Sequence, residues 1–388
     1  MPNRAQQLRS LGQSVWLDYI HRRELGSGVF ESQIRDQGVV GVTSNPTIFE
    51  QAIGRGQDYD TAIEQQLARS RTPGGPGPGS SLSLFEGLAI EDVQTACDLL
   101  APAFERTGGL DGRVSIEVNP GRAHDTAGTI DEARRLHREV ARPNVMIKVP
   151  ATVEGLPAVT TLLAEGICVN VTLIFSLARY EQVMVAYLAG LERRAARSQP
   201  LEPIVSVASF FVSRVDSKVD AAIEQRLAAL PAGSAERSEL EQSRGQAAVA
   251  NARLAYQRFR EVFGSPRFIR LREQGARVQR PLWASTSTKN PAYPDTLYVD
   301  ELIGPDTVNT LPPQTLAAYD DHGRLETTIT RDLDAAHALF RRLPELGVPI
   351  HDLIGQLEEE GVKAFAKSFD SLLATLEGKR ARMAGKPG

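Results

Sequence analysis

Short apolar runs alternate with longer helix-like runs along most of this chain, and that alternation limits the folds open to it. Strand-like runs fall at 15–20, 39–45, 113–118, 145–149, 169–175, 204–212, 281–285 and 296–299. Helical patterns separate most of them, for example at 46–70, 84–106, 129–140 and 177–197. Apolar strands joined through helices run parallel, with both sheet faces covered. Eight such units predict an α/β fold, a closed (β/α)8 TIM barrel whose active site lies at the C-terminal ends of its strands. The competing architecture is an open doubly wound sheet built from the same units. A chain of 388 residues has room for one large barrel or two ordinary domains. The simpler account is one domain over 1–388 with helical additions at about 233–263 and 331–388. The first addition, with Arg244, Arg253, Arg258 and Arg260, reads as a solvated face or an insertion packed outside the barrel. The second ends in a loose basic tail from Lys379.

Strand side chains alternate faces with period two, so the pattern separates an interior set from a helix-facing set. In Val114-Ser115-Ile116-Glu117-Val118, Ser115 and Glu117 oppose three apolar residues. By the same parity Asp18, Thr43, Asn45, Lys148, Asn170 and Thr172 fall on the inner side of their strands. Ser209 and Phe211 share a face at the end of the sixth strand, and Ser285 opposes Ala284 on the seventh. One polar residue near a strand end is ordinary. Polar interior residues on seven strands indicate a polar cavity, because an isolated buried polar group costs ~1–3 kcal/mol.

Lys148 is the chemically distinctive member of this set. It stands alone in the apolar run Val145-Met146-Ile147-Lys148-Val149-Pro150-Ala151. Taken singly, such a lysine snorkels to water or pairs with a carboxylate. Burial, however, disfavours a charged ammonium, and a neutral amine can attack a carbonyl to form a Schiff base. That chemistry also needs a proton shuttle and an acid/base at the bond that breaks. Glu117, through a water held by Thr172, fits the first role, and Asp18 fits the second. Salt bridging of both carboxylates to Lys148 or Arg214 is the competing account. Arg214 follows the sixth strand and Lys289 the seventh, where barrels often hold phosphate.

Other chemistries lack their signals. The formal net charge of -4 gives no reason to expect nucleic acid or an anionic membrane as partner. The two cysteines, Cys97 and Cys168, have no metal-ligand spacing and read as buried apolar residues, which fits a reducing cytoplasm. The six histidines form no zinc-helix motif, and helical surface positions account for most of them. No nucleophile elbow or phosphate-binding P-loop occurs. The glycines and prolines of 72–81 follow no strand and read as a surface linker. The N-terminus has no signal-peptide core, and no apolar run approaches the ~20 residues of a membrane span.

Six motifs, in order, carry a resemblance: Trp16-Leu17-Asp18-Tyr19-Ile20, Gly41-Val42-Thr43-Ser44-Asn45-Pro46-Thr47-Ile48-Phe49, Ser115-Ile116-Glu117-Val118, Met146-Ile147-Lys148-Val149-Pro150-Ala151-Thr152, Asn170-Val171-Thr172-Leu173-Ile174-Phe175-Ser176 and Leu282-Trp283-Ala284-Ser285-Thr286. The chain resembles the transaldolases, specifically their longer bacterial subgroup, over about residues 16–312. The resemblance implies a (β/α)8 barrel and ping-pong transfer of a dihydroxyacetone unit in the pentose phosphate pathway. The donor would be fructose 6-phosphate or sedoheptulose 7-phosphate, and the acceptor erythrose 4-phosphate or glyceraldehyde 3-phosphate. Lys148 would be the Schiff-base lysine and Asp18 the acid/base of C–C cleavage, with Glu117 and Thr172 handling the catalytic water. Asn45, Asn170 and Ser209 would hold the dihydroxyacetone moiety, with Thr43 and Phe211 beside them. Arg214 and Ser285 would bind the phosphate. No cofactor is implied, the partners are sugar phosphates, and the chain is expected as a monomer or homodimer.

The sequence also departs from the pattern. Other subgroups carry a serine-aromatic-arginine run after the seventh strand, where this chain has Ser285-Thr286-Ser287-Thr288-Lys289. Lys289 then becomes the second phosphate cation, a point charge in place of a bidentate fork. Two other functions compete. One is the related aldolase that releases free dihydroxyacetone; it carries glutamine in place of the glutamate and tyrosine in place of the phenylalanine, so Glu117 and Phe211 favour transfer. The other is an inactive barrel that binds sugar phosphates, against which the intact Lys148, Asp18 and Glu117 set speaks.

Overall fold

Eight parallel strands close into a barrel in chain order: β1 (Gln13–Leu17), β2 (Val39–Thr43), β3 (Arg113–Glu117), β4 (Val145–Pro150), β5 (Val169–Ile174), β6 (Ser206–Phe211), β7 (Arg280–Ala284) and β8 (Thr307–Leu311). The computed structural model describes residues 3–54, 56–71 and 80–384. The glycine- and proline-rich residues 72–79 lie outside that range. The seam closes between β1 and β8, in register from Gln13 opposite Thr307 to Leu17 opposite Leu311. The open doubly wound alternative is thereby ruled out.

Seven of the eight expected strands are present, and the eighth lies elsewhere. Residues 296–299 form no strand; Leu297–Asp300 is a single helical turn. Thr296-Leu297-Tyr298-Val299 has high β propensity, but Tyr298 is buried with its hydroxyl 2.8 Å from Asp216, and this tertiary contact overrides the local preference. The true β8 is polar at three of its five positions, Thr307, Asn309 and Thr310, and all five are buried. A search for apolar runs passes over such a strand.

Register fixes what fills the barrel. Glu117 pairs with Lys148, Lys148 with Asn170, and Pro150 with Thr172, so these residues share the inner face. Towards the N-terminal end the interior is closed by a polar cluster. Arg280 lies 2.8 Å from Asp111 and 2.8 Å from the Ser14 hydroxyl, and it also donates to the Leu110 carbonyl. Above this layer the Trp16 ring spans the barrel against Gly41, where a Cβ would sit 2.4 Å from the indole. A glycine is required there because the ring occupies the space of a side chain.

The helical layer departs from expectation in two places. In the 233–263 stretch, the helix Ala235–Ser243 is largely solvated, but Ala247–Phe263 is buried along most of its length. Its alanines at 247, 248, 252 and 255 permit close packing, and Asn251 donates to the Phe175 carbonyl at 2.7 Å. Arg253 is buried and pairs with Glu301 at 2.7 Å, which favours the packed insertion over the solvated face for this part of the stretch. The described part of the basic tail, to Ala384, is helical, and residues 385–388 lie outside the described range. The helix Ile350–Ala384 carries Lys379, 5% exposed, with Nζ 2.6 Å from Asp60 and 2.9 Å from the Gly56 carbonyl. Cys97 and Cys168 are buried free thiols, as expected.

Candidate active site

A cavity of about 530 Å³ opens at the C-terminal ends of the strands, within the size range of small-molecule sites. Strand ends and the loops after them build its wall. Asp18 follows β1, Thr43 and Asn45 end β2, Lys148 comes from β4, and Ser209 and Phe211 from β6. Arg214, in the first turn of the helix Ser213–Ala228, and Ser285 and Lys289, on the loop after β7, complete the set. These nine are all residues singled out from sequence.

Lys148 is 3% exposed, with Nζ 3.1 Å from a Glu117 oxygen and 3.2 Å from the Ser44 carbonyl. Asp18 accepts a 2.9 Å hydrogen bond from the Thr43 hydroxyl. Burial pushes the Asp18 carboxyl above the ordinary carboxylate range, against the opposing pull of Lys148, the Thr43 hydroxyl, Lys289 and Arg214. Burial raises Glu117 as well, again against the pull of Lys148, and the Asp18 charge adds to the rise. Two carboxyls that hold protons more tightly than usual thus flank one amine.

Three expected residues stand behind the open cavity rather than on its wall. Glu117 reaches it through Lys148. Asn170 reaches it through Ser209, whose hydroxyl donates to the Asn170 amide oxygen at 2.7 Å. The Asn170 amide nitrogen in turn donates to Ser115 at 3.0 Å across the barrel. Thr172 is buried beside Pro150 of β4; its hydroxyl and the Glu117 Oε1 have no hydrogen-bond partner among the described residues. Both atoms are free to bind a water. A separate enclosed space of about 20 Å³ also borders Glu117, room for about one water molecule.

Asn45 does two jobs. Its side-chain oxygen accepts from the Ile48 amide at 2.9 Å and so caps the helix Pro46–Gly54, which leaves the amide NH2 as the donor facing the cavity. Ser285 lies one residue past β7 and by strand parity would point away, since Leu282 and Ala284 line the interior. A φ of 57° turns the chain at Ser285 and brings it to the wall, with its hydroxyl 2.9 Å from Ser213. Lys289 donates to Ser287 at 2.7 Å, and burial with the nearby Arg214 charge lowers its pKa. Arg214 stacks over Phe211, 5.5 Å from the ring centre.

Sequence reading missed Thr310 because β8 was misplaced. It also missed Tyr19, Gln51, Ser287, Gln314 and Phe365, all on the cavity wall. Phe365 belongs to the helix Ile350–Ala384; its ring centre lies 5.7 Å from Lys148 Nζ and 5.9 Å from the Arg214 guanidinium. The helix carries an apolar stripe at Ile350, Ile354, Leu357, Phe365 and Phe369, which signals that it packs but not on what.

The profile of the Transaldolase/Fructose-6-phosphate aldolase family matches residues 15–376. The chain belongs to this family. It is 48% identical to a transaldolase of Parafrankia sp. (strain EAN1pec) over 370 residues, 95% of this chain and 96% of that protein. A transaldolase of Mycolicibacterium smegmatis is also 48% identical over 374 residues, 96% of each chain. One from Trichodesmium erythraeum is 44% identical over 379 residues, 97% of each. A buried amine, Lys148, thus lies between two carboxyls, Asp18 on the cavity wall and Glu117 behind it.

Proposed function

We propose that the protein transfers a dihydroxyacetone unit from fructose 6-phosphate or sedoheptulose 7-phosphate to glyceraldehyde 3-phosphate or erythrose 4-phosphate, within the pentose phosphate pathway. The observation that carries this reading is the buried Lys148 amine, 3.1 Å from Glu117 and in one cavity with Asp18. Lys148 attacks the ketose carbonyl, and Glu117 moves protons through a water bound with Thr172 as the carbinolamine loses water. Asp18 then takes the hydroxyl proton as the C–C bond breaks. Burial raises its pKa above the ordinary carboxylate range, which strengthens it as a proton acceptor. Thr43 holds Asp18 in place. Asn45, Asn170 and Ser209 orient the dihydroxyacetone hydroxyls, and Phe211 packs beside them.

The phosphate binds Arg214, Lys289 and Ser285, two cations and a hydroxyl from the helix after β6 and the loop after β7. Transfer is favoured over release of dihydroxyacetone by Glu117 and Phe211, where the releasing relatives carry glutamine and tyrosine. No described helix is long and apolar enough to cross a membrane. Borohydride reduction in the presence of fructose 6-phosphate tests the reading: a covalent adduct on Lys148 is expected, and none, or one on another residue, overturns it. Dependence of glyceraldehyde 3-phosphate production on added erythrose 4-phosphate then separates transferase from aldolase.

A further inference from the structure

The site as described explains how an imine forms, but not what keeps it from hydrolysis while the first product leaves and the acceptor arrives. After C–C cleavage the three-carbon unit remains on Lys148 as an enamine. Protonation of its nucleophilic carbon gives the iminium ion. Water then adds to the iminium carbon, the C–N bond breaks, and the amine returns to Lys148 with release of dihydroxyacetone. No electrons are exchanged with an outside reagent; water and one proton suffice. A transferase must therefore limit the water that reaches this carbon until the acceptor has added, because the same carbon takes up water when the product imine is released, and closed active sites limit water with apolar cover.

We infer that Phe365 is that cover: its ring shields the Lys148 adduct from water and biases the intermediate towards transfer. The inference rests on the function proposed above. Phe365 is buried and lines the cavity, and its ring centre lies 5.7 Å from the Lys148 amine. The same ring faces the Arg214 guanidinium at 5.9 Å, so Arg214 lies between Phe365 and Phe211. One side chain thus touches both the imine end of the cavity and its phosphate-binding cation. A cation–π contact holds the ring near the free ammonium, and the same apolar face covers the adduct that replaces it.

The ring is delivered by how its helix is seated. Gly361 is one turn earlier on the same face as Phe365. A Cβ at Gly361 would lie 3.0 Å from Leu173 and 3.4 Å from Phe175, so the glycine lets the helix press against the end of β5. Leu173 itself has a φ of 61°, which turns the chain beneath this contact. On either side the helix is tied down by Arg179 to Glu358 at 2.7 Å and by Thr47 to Ser368 at 3.0 Å. These contacts hold the backbone of the helix that carries Phe365 against the barrel. It forms no bond with the reacting atoms and is a positioning and shielding residue, not a catalytic one.

The test is a partition ratio: dihydroxyacetone released per sedoheptulose 7-phosphate formed from fructose 6-phosphate and erythrose 4-phosphate. Phe365→Ala is expected to raise this ratio roughly tenfold while borohydride still traps the Lys148 adduct. Loss of packing alone would lower release and transfer together and leave the ratio unchanged, and that result overturns the inference. Phe365→Leu keeps apolar volume and folds more readily; a smaller rise of roughly threefold is expected. Should the alanine variant not fold, an unchanged ratio in the leucine variant overturns the inference equally. Failure of the wild-type protein to form the Lys148 adduct would instead remove the proposed function.

Discussion

The two ends of the barrel interior hold the same kinds of side chain to opposite effect. At the N-terminal end Arg280 and Asp111 are buried, 2.8 Å apart, and Arg280 also bonds to Ser14 and the Leu110 carbonyl. At the C-terminal end Lys148 and Glu117 are as deeply buried, 3.1 Å apart, with a second carboxyl, Asp18, in the same cavity. In the lower cluster only Arg280 Nε lacks a partner among the described residues; the cluster is closed by Trp16 above it and serves the fold. The upper cluster is under-partnered and open to a cavity, and burial pushes both its carboxyls up. Buried charge becomes reactive where its hydrogen bonds are left incomplete and a ligand has room to supply them.

Substitutions at the two ends should therefore separate activity from stability. The largest expected effect is at the top: Lys148→Met should lower kcat roughly 10⁴-fold or more, with borohydride trapping abolished. A variant that kept trapping would move the nucleophile elsewhere. At the bottom, Asp111→Ala strands a buried guanidinium and should cost about 3–5 kcal/mol in denaturant unfolding, while kcat per folded molecule stays unchanged. Asp18→Asn should still form the adduct yet turn over roughly 10²-fold more slowly; loss of trapping itself would be evidence against its place in C–C cleavage. Lys289→Ala should raise KM for phosphorylated donors about tenfold, a 1.4 kcal/mol change, and affect unphosphorylated donors less. Equal effects on both donor types would argue against a phosphate contact.

The smallest expected effect concerns pH. Asp18 and Glu117 bind protons more tightly folded than unfolded, so ionising them opposes folding. Their penalty is absent below the ordinary carboxylate range and grows as pH rises through it towards their raised values. Asp18→Asn should consequently narrow the loss of Tm between acidic and neutral pH, a change that differential scanning calorimetry at several pH values would read. A wider loss in the variant would mean that Asp18 is stabilised, not strained, by its surroundings.

Most of the site was legible before any tertiary information. Period-two alternation placed Glu117, Lys148, Asn170 and Thr172 on one face, and the observed register confirms that placement. Ser285 was placed with the right residues but not for the reason parity gives, since its φ of 57° turns it to the wall. Strand β8 was hidden because a buried strand with threonines and an asparagine does not look apolar. The 233–263 stretch reads as helical, but the sequence leaves the burial of Ala247–Phe263 open between a solvated face and a packed insertion, because its polar and charged residues do not show which neighbours cover them.

The sequence by itself determined the repeating β/α order, the inward face of each early strand and the chemical types that meet at Lys148. Those features depend on spacing within a few residues, and strand geometry converts spacing into direction. The tertiary structure alone decided that β8 closes on β1, that Lys379 is clasped by Asp60, and that Phe365 lies over Lys148. Each joins residues far apart along the chain, and local periodicity says that such a face must be covered without saying by what.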